Sequence, residues 1–388
     1  MLRFIARRLF GAALALWVIV TLSFFLMRFA PGGPFDEERQ LAPAAKANRW
    51  LAYGMGLELT TPEPAVVVAV ADLRLGREYP EGTWLATLRP TAPGAPERRV
   101  AMPHDATLED LPLTAGATLP AGARLAVVPK TGWQQYVDAI GRYLVLDFGV
   151  TFSSAGERTV AEEIARALPI SLELGLWALA FALLLGVTLG LLAGLRQNTW
   201  VDYTAMSGAM LGISIPTMVT GPLLIAVFVL GLGWLPYGGW DPPAGSPWSP
   251  FAYRVLPVVT LGLVYAAYFA RITRGGMLEV IRADYIRTAR AKGLSERQVV
   301  LRHALKGALL PTLSFLGPAF ARIVTGSVVV ERVFGIAGLS EYFVTPALNR
   351  DYPLVLGVVV VYSALLLFMN LLVDLAYALL DPRAAVRG

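Results

Sequence analysis

Long apolar runs separated by short charged segments set the pattern of this chain. Residues 9–27 form the first uncharged run, after Arg3, Arg7 and Arg8. Further runs cover 168–195, 203–235, 255–270, 307–330 and 353–373. About 20 apolar residues cross the hydrocarbon core of a bilayer, so the pattern predicts six membrane-spanning helices. The 203–235 run exceeds one straight crossing and carries Pro216 and Pro222, which predicts a kink there. The basic start before the first run also suits a secretion signal. However, Arg28 and "PGGP" follow it instead of a small-x-small cleavage site, so an uncleaved first span is expected.

Residues 31–165 break the apolar pattern. Short β-branched runs at 65–73, 83–88, 98–102 and 123–128 are punctuated by Pro and Gly, which predicts a small β-containing insertion at about 58–130. "HDATLEDL" (104–111) offers Asp105 or Thr107 as a helix cap, so one short helix within a β-grasp-like module is expected there. An irregular, solvent-facing elaboration is the alternative. "WQQYVDAIGRYL" (133–144) carries apolar and aromatic positions at helical spacing and is expected on the membrane surface.

Composition sharpens the class. The 388 residues are 56% hydrophobic and 16% charged, below the quarter charged of soluble domains. Cysteine is absent and the two histidines, His104 and His303, lie far apart, which excludes disulfides, thiolate chemistry and a histidine-rich metal centre. No G-x-x-x-x-G-K-[ST] phosphate loop, HExxH or paired catalytic carboxylates occur, so no catalytic, cofactor or metal site is expected. Net charge is +5, but 31–165 holds 12 Lys/Arg against 17 Asp/Glu, so the remainder carries +10 beside the apolar runs. That is positive-inside patterning, not a nucleic-acid groove. It places both termini and the 271–307 loop in the cytoplasm, and 31–165 outside.

The 271–307 loop is the most finely specified segment, with nine Lys/Arg against three Asp/Glu. Asp284 suits an N-cap, 285–292 two helical turns, and Gly293 a left-handed C′ position. "SERQ" (295–298) then reads as a capping box opening a second helix toward Pro311. A basic loop that only fixes topology is the bland alternative.

"DYIRTARAKGLS", with "RHAL" and "LLP" after it, resembles the EAA coupling loop of ABC-importer permeases, in the dipeptide/oligopeptide/nickel branch. "RRLF", "APGGP", "WQQY", "DFGVTF", "LPISLELG", "RDYP" and "NLLVDLAYALLDPR" agree with the same family in order, over about 1–57 and 131–388. The resemblance implies an all-α, six-span type I permease fold: a first span in 1–30, an extracytoplasmic segment 31–165, a core 166–380 and a cytoplasmic tail 381–388. It implies ATPase contact through Tyr285, Arg287, Thr288, Ala289, Ala291, Lys292 and Gly293. Ala289 and Gly293 are small, which permits close packing, and the capped geometry explains the need for Gly at 293.

The implied partners are a second homologous permease, two ATP-binding subunits that hold ATP and Mg, an extracytoplasmic binding protein and the lipid bilayer. The implied cargo is a di- or oligopeptide, with nickel complexes and oligosaccharides as alternatives in the branch. Three departures stand out. Arg287 replaces the Glu that opens the wider signature. "ERVFGIAGLSEYF" keeps Glu331, Phe334, Gly338 and Leu339 but has Ala337 and Ser340 where Pro and Gly are usual. The usual pattern lacks the 58–130 insertion. Glu173, Pro216, Arg322 and Glu331, in or beside spans, are candidates for pathway lining or gating, with Asp374 as a headgroup-level charge; structural ion pairing is the alternative. A self-sufficient carrier or channel, or a receptor sensing through 31–165, are the competing classes.

Overall fold

A computed structural model describes residues 2–29, 43–152 and 158–380. The "PGGP" stretch, residues 381–388 and the Asp374 side chain lie outside the described residues. Twelve α-helices and eight strands follow in order among them. They are α1 (Leu2–Phe29), α2 (Pro43–Ala52), β1 (Gly56–Thr60), β2 (Ala65–Val70), β3 (Arg77–Tyr79), β4 (Trp84–Pro90), β5 (Arg98–Ala101), β6 (Ala106–Leu108), β7 (Thr118–Leu119) and β8 (Arg124–Pro129). There follow α3 (Gly132–Tyr143), α4 (Val160–Leu195), α5 (Trp200–Ser214), α6 (Thr217–Leu224), α7 (Pro250–Val280), α8 (Asp284–Ala291), α9 (Glu296–Gln298), α10 (Leu305–Phe334), α11 (Glu341–Leu348) and α12 (Tyr352–Leu380). Two π-helical stretches, Ile225–Gly231 and Val299–Ala304, extend α6 and lead into α10.

Among the described residues, five helices are long and apolar enough to cross a membrane: α1, α4, α7, the α9–α10 run and α12. The expected third span is instead two helices, α5 and the α6–π run, bent by 106°. Pro216 sits at the break, and Ile215 before it is extended (φ −90°, ψ 119°), as a residue preceding proline prefers.

Helix packing decides whether that bent pair crosses. Side chains built on Gly186, Gly190 and Gly194 of α4 would meet Ala266, Ala270 and Met277 of α7 in turn, and one on Gly262 of α7 would meet Ala178 of α4. Contacts that advance together along both chains make α4 and α7 parallel. The 196–249 segment must therefore return across the membrane, and the bent pair counts as one crossing, giving six. Small residues let the two backbones approach in a setting where lipid offers no hydrophobic drive between helices. By contrast, Gly276 faces Ala308 and Thr273 Oγ1 lies 3.0 Å from Thr312 Oγ1, so α7 and α10 run antiparallel.

The chain divides into two compact units, one of residues 1–20, 162–348 and 357–388, the other of 21–161 and 349–356. In the second, the inserted strands form a four-stranded sheet ordered β5-β4-β2-β7 and the pairs β1-β8 and β3-β6, all antiparallel. Its apolar core includes Val67, Ala86, Leu88 and Leu125, and a second cluster includes Leu85, Leu108, Ala126 and Val128. The helix expected at 104–111 is not there. Ala106–Leu108 pairs as β6 with Arg77–Tyr79, and Asp105 accepts from the Glu81 backbone N–H at 2.6 Å, capping a turn in another segment. Sheet pairing across 29 or so residues overrides the local cap signal.

Candidate coupling surface

Ile286 and Ala289 anchor α8. An eight-residue helix is marginal in water, and these two residues, three apart on one face, are buried against Met277 of α7, Val299 and Ala304 of the π stretch and Ala308 of α10. Ala283, extended at φ −70°, ψ 148°, is the N-cap. Asp284 is thus the first helical residue instead of the cap, where its charge still favours the N-terminus of the helix dipole.

The other end is a Schellman closure. Gly293 N–H donates to Arg290 O at 2.9 Å and Leu294 N–H to Ala289 O at 3.4 Å, with Gly293 at φ +79°. Leu294 then packs on the same apolar cluster. Gln298 Oε1 accepts from the Ser295 backbone N–H at 3.1 Å, as the capping-box spacing predicts, and restarts the chain as α9.

Arg290 and Glu296 hold the two helices together through paired contacts of 2.6 and 3.1 Å. This hydrogen bonding raises the Arg290 pKa above its ordinary value. Further back, Arg274 of α7 grips the buried Asp202 of α5 bidentately at 2.6 and 2.7 Å, and Asp202 also accepts from Asn198 N–H. Arg282 reaches Gln197 at 3.3 Å. The base under α8 is therefore fixed to the turn between α4 and α5. Local spacing marks neither pairing: Asp202 and Arg274 lie 72 positions apart, and Arg290 and Glu296 lie six apart across the Gly293 break.

Tyr285, Arg287, Thr288, Ala291, Lys292 and Gly293 lie on the exposed side of this helix–glycine–helix device, as does Arg290. Ala289 does not. It is enclosed by its own chain, so the expectation that its small size serves a partner is corrected: it serves the fold. Gly293 has open space where a side chain would stand, so it is required by its positive φ and not by crowding.

A second constellation sits after α10. Glu331 is fully buried, with Ser171 Oγ donating to its Oε1 at 2.8 Å and Ser340 N–H to its Oε2 at 2.9 Å. Ser171 Oγ in turn accepts from Leu339 N–H at 2.9 Å. A side chain at Gly338 would strike the Glu331 carboxylate. Glu331, Gly338 and Leu339 are thus one brace for the 335–340 loop, and Phe334 packs in the adjoining core with Leu174 and Trp240. Within this chain Glu331 is buried and fully engaged in that brace. Glu173 also has a structural bond set: Arg254 at 3.1 Å and the Trp240 indole N–H at 3.1 Å, with the Arg254 guanidinium 5.0 Å from the Trp240 ring centre. Arg322 and Pro216 both lie at the surface of the chain.

Residues 186–386, which hold the coupling-loop geometry, match the family model described as "Binding-protein-dependent transport system inner membrane component". The chain is 37% identical over 383 residues to the oligopeptide transport system permease protein OppB of Haemophilus influenzae, covering 99% of each. The chain belongs to this permease family.

OppB of Escherichia coli (strain K12) gives the same 37% over 383 residues, and the dipeptide transport system permease protein DppB of Bacillus subtilis gives 34%, covering 99% of this chain and 98% of that one. Among solved structures, the inward-facing MetNI methionine ABC transporter aligns with 56% of this chain and 96% of its own at 18% identity, TM-score 0.48. The resemblance to the peptide-transport branch holds. The OppB match spans nearly the whole of both chains, so it takes in the residues of the inserted β-domain.

Proposed function

We propose that this permease carries di- or oligopeptides inward across the cytoplasmic membrane, driven by ATP hydrolysis in separate subunits. The observation that carries the reading is α8: a short basic helix, held rigidly by Ile286 and Ala289 and closed at Gly293, with its other face free. Peptide cargo is supported by the names of the relatives aligned over the full chain.

Two ATP-binding subunits, holding ATP and Mg, dock on this helix and its counterpart in a second permease, through Tyr285, Arg287, Thr288, Ala291, Lys292 and Gly293. This chain itself binds no cofactor and catalyses no reaction. Its termini and the 271–307 loop face the cytoplasm, where the positive charge lies. Closure of the ATPases pushes α8; because α8 is packed on both α7 and α10, the push reaches two spans at once and opens the cavity outward to an extracytoplasmic binding protein. Arg322, a surface charge midway along a span, faces the pathway or the second permease, where a charge is less costly than in lipid. The bend at Pro216 lines the same pathway.

Uptake of a labelled oligopeptide into vesicles holding the full transporter tests this reading. Gly293→Asp should insert normally and lose ATP-driven uptake; uptake at the unaltered rate would remove the docking assignment.

A further inference from the structure

Helix α3 divides into three faces. Gln135, Tyr136 and Ala139 are buried. Trp133, Val137 and Leu144 lie within about 40° of one another at 100° per residue, and all three are exposed apolar side chains. Gln134, Asp138 and Gly141 form a separate exposed polar strip beside them.

The buried face fixes where α3 lies. Tyr136 OH is 2.7 Å from Thr21 Oγ1 of α1, and its ring packs on Phe24 and Phe25. Thr21 precedes Arg28, the last residue of that span, by seven positions. At 1.5 Å per residue this is about 10 Å along the helix. So α3 lies against the last two turns of a membrane span, not beyond its end. On α1 itself Leu22 and Leu26 are exposed, apolar and within the span.

The turn after α3 carries the second observation. Val145, Leu146 and Asp147 N–H donate to Arg142 O, Tyr143 O and Arg142 O at 3.0, 3.1 and 3.0 Å, so the turn is ordered. It holds Leu146 in the left-handed region at φ 59°, costly for a residue with a Cβ. The result is that Leu144, Val145 and Leu146, each more than 70% exposed, project together. Water gives no reason to hold three apolar side chains out on a strained turn.

We infer that α3 and its 144–146 turn are an interfacial anchor seated in the lipid bilayer beside the end of α1, with Trp133, Val137, Leu144, Val145 and Leu146 among acyl chains and the Gln134–Asp138–Gly141 strip toward water. The occupant is lipid because the apolar strip lies at the depth of a membrane span whose own Leu22 and Leu26 are exposed. A tryptophan at the boundary and an amphipathic helix in the plane are what such a position selects. The anchor fixes the inserted β-domain at the membrane, since β8 ends at Pro129 and α3 starts three residues later.

The chain has no cysteine, so single-cysteine variants V137C, V145C and G141C can be spin-labelled in the full transporter reconstituted into phosphatidylethanolamine–phosphatidylglycerol vesicles. Collision with oxygen, which concentrates in lipid, is compared with collision with a water-soluble nickel chelate. Labels at 137 and 145 should favour oxygen, and the label at 141 nickel. Nickel preference at 137 and 145 would overturn the anchor. Exclusion of both reagents there would also overturn it, showing that a protein surface, such as the second permease, covers this face.

Discussion

Ser171 and Glu331, 160 positions apart, meet through a 2.8 Å hydrogen bond between fully buried side chains. Together they accept the backbone N–H groups of Leu339 and Ser340. A carboxylate with that donor set is satisfied, whereas removing it leaves buried donors open. Glu331→Ala should therefore destabilise the protein by about 1–3 kcal/mol for each buried donor left open. Glu331→Gln, which keeps one acceptor oxygen, should cost less. Thermal unfolding in detergent, followed by size-exclusion fluorescence, checks the order; equal melting of both variants and the wild type would contradict the brace.

Asp202 and Arg274 make the corresponding test at the base of α8. Asp202 is buried and its partner only partly exposed. Asp202→Ala should cost about 3–5 kcal/mol, because a guanidinium is left without its anion. Adding Arg274→Ala should restore part of that loss, which a double-mutant cycle measures directly.

Gly190 lies in the close contact of α4 with α7, with the Ala270 carbonyl and Thr273 in the space of a side chain. Gly190→Val should cost at least about 1–3 kcal/mol by overpacking and lower the yield of folded protein. Gly275, with nothing in that space, is the control: Gly275→Ala should leave yield unchanged.

Arg290 and Glu296 are an exposed pair and should contribute little to stability. Glu296→Gln is expected to change the unfolding free energy by less than about 1 kcal/mol. If the pair holds α8 in place during coupling, the same variant should lower transport relative to ATP hydrolysis, and high salt should mimic it. Measured hydrolysis and uptake in one vesicle preparation give that ratio.

Local physics made much of this legible in the sequence. The long apolar runs, the capping box at Ser295 and the left-handed glycine at 293 each rest on neighbours in the chain. Strands β2, β4, β5 and β8 also follow from short β-branched runs between turns. Long-range pairing was not legible. The cap at Asp105 serves a turn 24 residues away, and Ala289 looks free until α7 and α10 close around it. The 106° bend at Pro216 was readable as a break but not as an angle. The partners of Glu331 and Glu173, Ser171 and Arg254, lie far off in sequence, so these contacts could not be read from local spacing.

In the proposed function the exposed face of α8 receives an ATPase. Its most direct test is affinity purification of the tagged native chain in mild detergent, with co-purifying proteins identified by mass spectrometry, for the wild type and for Gly293→Asp. The side-chain position at 293 is open and exposed, and a left-handed residue with a Cβ costs roughly 1–2 kcal/mol, so the variant should fold. A P-loop ATPase and a second six-span permease should accompany the wild type, and only the ATPase should be lost from the variant. Retention of the ATPase by Gly293→Asp, or a stable wild-type preparation without any ATPase, would contradict the account.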